Sequence, residues 1–151
     1  FSEAQTEINN LDSNKANLNA TNDFSGNTIT DAELKDNSET VYAHGSIADT
    51  ITLNHENGHY QTLTTTDPIT LAFLNFPASG KLARIILDVN VVLTTHTITI
   101  PTSILVAGNV SGGDGSSNTI TVPTSGRYLY EFMSPDGGVT VLMHQLGNNY
   151  I

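Results

Sequence analysis

Ile51-Thr52-Leu53-Asn54-His55-Glu56-Asn57-Gly58-His59-Tyr60-Gln61-Thr62-Leu63-Thr64-Thr65-Thr66 is the stretch whose reading decides the fold. Its centre, His55 to His59, matches the H-E-x-x-H pattern letter for letter. In that pattern two histidines hold zinc and the glutamate polarises a metal-bound water, which requires a helix to bring histidines four apart onto one face. The flanks point to strands instead. Residues 51–54 and 60–66 alternate in polarity and are rich in β-formers. Asn57-Gly58 between two such runs reads as a type I′ hairpin turn, which needs positive φ at both central residues. The expectation is a hairpin with His55 and His59 close across its mouth, Glu56 beside the turn, and no catalytic metal.

Outward from this stretch the period stays at two. Candidate strands are 49–55, 59–66, 69–76, 83–94, 97–101, 104–108, 118–123, 127–134 and 138–145. Asp67-Pro68 and Pro77-Ala78-Ser79-Gly80 bound the third strand, Gly112 to Ser117 forms a Gly-rich loop, and Pro135-Asp136-Gly137-Gly138 reads as a hairpin turn. In 83–94 the row Ile85, Leu87, Val89, Val91 and Leu93 opposes Arg84, Ile86, Asp88, Asn90 and Val92, as in a half-buried antiparallel strand. Short strands at near-regular spacing predict an all-β fold: an antiparallel β-sandwich or jelly-roll-like domain over 46–151.

Composition agrees. The 151 residues suit one domain with an appended segment, and 21 Thr and 16 Asn favour strands and tight turns over long helices. A net charge of −10 with five Lys and Arg argues against nucleic acid as a partner. No apolar run approaches a membrane span, so membrane insertion is not expected. Cysteine is absent, which removes disulfides, thiolate metal sites and thiol nucleophiles. The first residue is Phe1 in place of an initiator Met, so the expectation is the ordered or processed part of something longer.

Residues 1–45 differ from the rest and read as an attachment or trimerisation arm. Residues 1–40 carry eight acids against Lys15 and Lys35, a local net of −6, with no proline. Ile8, Leu11 and Leu18 follow a coiled-coil seam in which Lys15 takes the missing position. Such a short helix needs partners, which further copies of the chain would supply. Thr30-Asp31-Ala32-Glu33 reads as a capping box opening a helix over 31–43, with Leu34, Ser38 and Val41 on one face and Gly45 as its stop.

At this point a resemblance emerges. Ile69 to Gly80, ending in Phe76-Pro77-Ala78-Ser79-Gly80, resembles a segment common in tailed-bacteriophage virion proteins. There it is followed by a long apolar strand, a Thr-x-Pro strand, a Gly-rich loop and a final Asp-Gly-Gly hairpin. This chain has Ile85 to Leu93, Thr99-Ile100-Pro101, Gly112 to Ser117 and Asp136-Gly137-Gly138 in that order. Asp31 to Asp36 and Glu39-Thr40-Val41 resemble the helix that introduces the domain. The likeness covers roughly 30–145. It departs in lacking the Trp that family members carry before the proline matching Pro101.

The resemblance implies a non-enzymatic virion protein, a trimeric tail-fibre or fibre-like appendage component, with no catalytic residues and no cofactor. Alternatives are a capsid decoration or head-fibre protein and, from another class, a stand-alone carbohydrate-binding module. Expected partners are further copies of the chain, other virion proteins through the arm, and a host-surface glycan. Interface candidates are Ile8, Leu11, Leu18, Leu34, Val41, Ile86 and Val92; the last two oppose the main apolar row of their strand. His44, His96 and His144 read as packing or surface residues, with His96 at a hairpin connection. Asp114 alone is too little for a Ca²⁺ cage. Tyr128 and Tyr130 read first as cross-strand neighbours and second as a glycan contact.

Overall fold

The computed structural model describes residues 2–6, 31, 33, 35–113 and 118–150. Contacts divide the chain into Phe1–Asn37 and Ser38–Ile151. In the first unit residues 2–6 are helical and exposed, with the Thr6 hydroxyl donating to the Ser2 carbonyl at 2.8 Å. Every described strand lies in the second unit.

That unit is built from β1 (Val41–Ile47), β2 (Thr50–Asn54), β3 (Tyr60–Thr65), β4 (Ile69–Leu74), β5 (Ala83–Val91), β6 (Ile98–Thr99), β7 (Ile104–Val106), β8 (Thr119–Ile120), β9 (Gly126–Ser134) and β10 (Val141–Tyr150). They form two mixed sheets, a larger one in the order β1-β3-β5-β9-β10-β7 and a smaller one in the order β2-β4-β6-β8. From β1 to β8 successive strands alternate between the sheets. Up to β6, therefore, each strand runs out in one sheet, the next returns in the other, and the third lies parallel to the first, whereas β8 pairs antiparallel with β6. Five of the eight pairings are parallel, and three are antiparallel. The expected antiparallel pairing is thus corrected: most connections cross between sheets, and among the described strands only β9–β10 closes as a hairpin between consecutive strands.

The decisive stretch shows why. His55–Asn57 form one 3-10 turn between β2 and β3, which do not pair. Asn57 has no positive φ and Gly58 sits at φ 111, ψ 165, so the type I′ hairpin is not formed. Asn54 caps the turn by accepting from the Glu56 amide at 3.0 Å. Gln61, fully buried on β3, donates to the Asn54 and Gly58 carbonyls at 2.7 and 2.9 Å. These bonds tie the ends of the turn to β3 and give the buried Gln61 amide its partners. The connection of His96 is likewise no hairpin, since it leads from β5 in one sheet to β6 in the other.

The helix expected over 31–43 is also corrected. Asp31 and Asp36 have φ of 54° and 55°, residues 37–40 are irregular, and Val41 to Ala43 open β1. Thr30, Ala32 and Leu34 lie outside the described residues. The parallel ladder from Val41↔Tyr60 to Ile47↔Thr65 offers the backbone more partners than one short helix, and Gly45 at φ 80 absorbs a bulge within it.

One apolar cluster draws on both sheets: Leu53, Ile69 and Leu71 from the smaller, and Ile85, Leu87, Val89, Tyr130 and Phe132 from the larger. The rings of Phe73 on β4 and Phe132 on β9 meet across it at 4.8 Å. Tyr128 and Tyr130 stack inside this core with ring planes 6° apart and are 1% and 0% exposed, so neither contacts a glycan. Burial, then the neighbouring Tyr128, pushes the Tyr130 phenol above its ordinary range.

The Pro77-Ala78-Ser79-Gly80 corner and the Asp136-Gly137-Gly138 turn meet in space. The Gly80 amide donates to the Pro135 carbonyl at 3.1 Å. A Cβ on Gly138 would lie 2.7 Å from the Phe76 ring, so glycine is required there both for space and for its φ of 89°. Ser134 Oγ accepts from the Gly138 amide and Asp136 Oδ1 from the Thr140 amide, each at 2.8 Å. The Thr140 bond, helped by the Ser134 hydroxyl donating to Asp136 Oδ1 at 3.1 Å, holds the Asp136 carboxyl below its usual range.

Candidate functional site

β5 runs through the larger sheet and presents two faces. Ile85, Leu87, Val89 and Val91 point into the core with no exposure at all. Arg84, Ile86, Asp88 and Asn90 point outward, and strand register extends each into a row. The rows are Arg84–Met133–Leu142–Leu105, then Val41–Tyr60–Ile86–Glu131–His144, then Ala43–Thr62–Asp88–Leu129–Gly147, then Ser46–Thr64–Asn90–Arg127–Tyr150. The outer face therefore has an apolar end, with Leu105, Leu142, Met133 and Ile86, and a polar end around Asp88.

Asp88 is only 2% exposed although it faces away from the core. Arg127 covers it with a bidentate pair, Nε to Oδ1 and Nη2 to Oδ2. The Tyr60 hydroxyl donates to Oδ2 at 2.7 Å. Burial alone would raise the Asp88 carboxyl, but the bonds from Arg127 and Tyr60 and the guanidinium charge outweigh it, so its pKa lies below the ordinary value. Burial and then the bond to Asp88 raise the Tyr60 phenol. A second pair, Arg84 to Glu131 Oε1, closes the neighbouring row, with the Nε contact at 2.7 Å.

Of the interface candidates, Val41 and Ile86 fall in one row with Tyr60 between them, 58% exposed and half-buried respectively. Val92 is 46% exposed beyond the end of β5, where its amide donates to Thr65 Oγ1 at 3.2 Å, and it does not join that row. Ile8, Leu11, Leu18 and Leu34 lie outside the described residues. Sequence reading did not bring Asp88, Arg127, Tyr60 and Tyr150 together. Its one available signal was an acid in the middle of a strand whose other face is wholly apolar.

The His55–His59 corner forms a second hollow of about 430 Å³, lined by Glu39, Thr40 and residues 55–59. The two imidazoles lie 5.2 Å apart, and Glu39 Oε1 is 3.6 Å from His59 Nδ1. Glu56 is engaged by the Asn75 amide at 2.9 Å. Burial and then the neighbouring His59 lower the His55 pKa, against the opposing pull of Glu56. Among the described residues no group of three or more His, Cys, Asp or Glu is placed to hold a metal ion. Two of the histidines elsewhere bond within the fold: His44 Nε2 to Gln61 Oε1, and buried His96 Nδ1 to Thr65 Oγ1, each at 2.9 Å.

Compared with protein-family models, with curated proteins and with solved structures, the chain finds no match in any of the three. Among the described residues no helix is long and apolar enough to cross a membrane.

Proposed function

We propose that the chain is a non-enzymatic structural protein of a bacteriophage virion, a fibre or fibre-like appendage component that assembles as a homotrimer. In this reading the two sheets are the layers of a sandwich, and residues 1–45 join the chain to other virion proteins. The observation that carries the proposal is the apolar end of the outer face. Leu105 is 60% exposed and lies in register with Leu142 and Met133, beside the row holding Ile86 and Val41. A contiguous apolar strip on a strand face is a surface that a second copy covers at little desolvation cost. Outer-face charges flanking it are already paired, Arg84 with Glu131 and Arg127 with Asp88. Such pairs can approach a neighbour without stranding a bare charge.

The pieces that carry the virion resemblance support the same reading. Phe76, Pro101, Gly137 and Gly138 line one small hollow, where corner, Thr-x-Pro strand and terminal turn come together. They serve packing, as expected of a structural module. The test is to locate the chain by reconstruction of purified particles. Density for three copies in an appendage supports the reading. Absence from the particle, or isolated single copies, overturns it.

A further inference from the structure

We infer that the polar end of the outer face is a binding site for a neutral oligosaccharide, seated against Tyr60 and Tyr150 over the Asp88–Arg127 pair. This goes beyond the assembly reading, because it requires only the folded β-unit.

Two hollows of about 490 and 380 Å³ meet there and share Asp88, Arg127 and Tyr150. Thr62, Thr64 and Asn90 line the first; Tyr60 and Leu129 line the second. Apart from the Asp88–Arg127 pair neither lining carries a charged side chain, so the site is formally neutral. In a chain of net charge −10 an acidic ligand is repelled, and nucleic acid with it. The hollows lie over the interior strands of the sheet as well as its β1 side, so a peptide added as an edge strand would not fill them.

What the site offers is hydroxyls, an amide, a guanidinium and two aromatic rings. Arg127 spends Nε and Nη2 on Asp88, so its plane is fixed on a side chain that is still 54% exposed. Tyr60 is fixed by its bond to the same carboxylate. Tyr150, 54% exposed, lies over Gly147: a Cβ there would sit 2.0 Å from the phenol oxygen and 2.6 Å from ring carbons. Glycine at 147 thus lets the ring lie against the strand. A ring seated in this way presents an apolar face and a polar tip, complementary to a pyranose with its C–H face and rim of hydroxyls. Prior fixing of Arg127 and Tyr60 lowers the ordering cost of binding.

The test uses the full chain, labelled, on an array of neutral and acidic oligosaccharides. Titration follows with the best neutral binder, and with maltotriose and chitotriose as defined probes, read by NMR shift changes. The expected result is saturable binding of a neutral oligosaccharide, with Asn90, Arg127 and Tyr150 among the shifted signals. Tyr150→Ala should weaken binding about tenfold, equivalent to ~1.4 kcal/mol. Gly147→Ala should weaken it as well by displacing the ring, with circular dichroism unchanged in both variants. No neutral binder at millimolar ligand, binding of acidic glycans only, or binding that survives both substitutions overturns the inference. A chain that assembles yet binds no sugar loses this inference alone. A monomer that binds sugar loses only the assembly reading.

Discussion

The inner and outer faces of β5 share one backbone yet bury their side chains by different means. Inside, Leu87 reaches zero exposure among apolar neighbours. Outside, Asp88, one residue later, reaches 2% because Arg127 and Tyr60 replace the water its carboxylate gives up. The inner face is held by shape and the outer face by paired donors and acceptors. The first mode fixes the fold, whereas the second leaves side chains that can exchange one partner for another.

Substitution separates the two modes. Phe132→Ala, which removes a fully buried ring from the inner face, should cost about 3–5 kcal/mol in denaturant unfolding. A loss under about 1 kcal/mol would mean that the ring is not central to the shared core. On the outer face Asp88→Asn should cost about 1–2 kcal/mol, below the usual figure for a broken buried pair because Arg127 is half-exposed and water can take it up. The pH dependence carries a defined sign. Since the folded pKa of Asp88 lies below its unfolded value of about 3.9, its stabilisation is complete above that value and is lost as pH falls through the folded pKa. Asp88→Asn should therefore flatten the acid limb of the stability curve. An unchanged acid limb would show that the pair contributes nothing there. Smallest of all, Val92→Ala should change stability by less than about 0.5 kcal/mol, since the side chain is exposed beyond the strand end. A larger loss would place Val92 in a contact outside the rows described.

Much of the fold was legible because period two is a local signal. Each of the nine candidate strands corresponds to one of β2 to β10, and the buried row from Ile85 to Val91 was readable directly. Leu93, read as part of that row, is 54% exposed because β5 ends at Val91. Strand direction was not legible. Asn57-Gly58 has the chemistry of a hairpin turn, yet whether a chain folds back beside itself or crosses to another sheet depends on contacts made elsewhere, here through Gln61. β1 was hidden for the same reason, since its partner β3 outweighs a local capping signal. Of the candidate site, Ile86 could be read from alternation alone. The Asp88–Arg127 pair spans 39 residues, and only tertiary register joins it.

The most direct measurement of the assembly reading is the solution mass of the intact chain at micromolar concentration, by light scattering, beside Ile86→Asp. Ile86 sits half-buried where the apolar strip meets the ion pairs, so a carboxylate there would be desolvated between subunits without a partner. The expected result is a species of three times 16.1 kDa for the intact chain, and release of monomers with a retained β-signal for the variant. A single 16.1 kDa species for the intact chain would contradict the account.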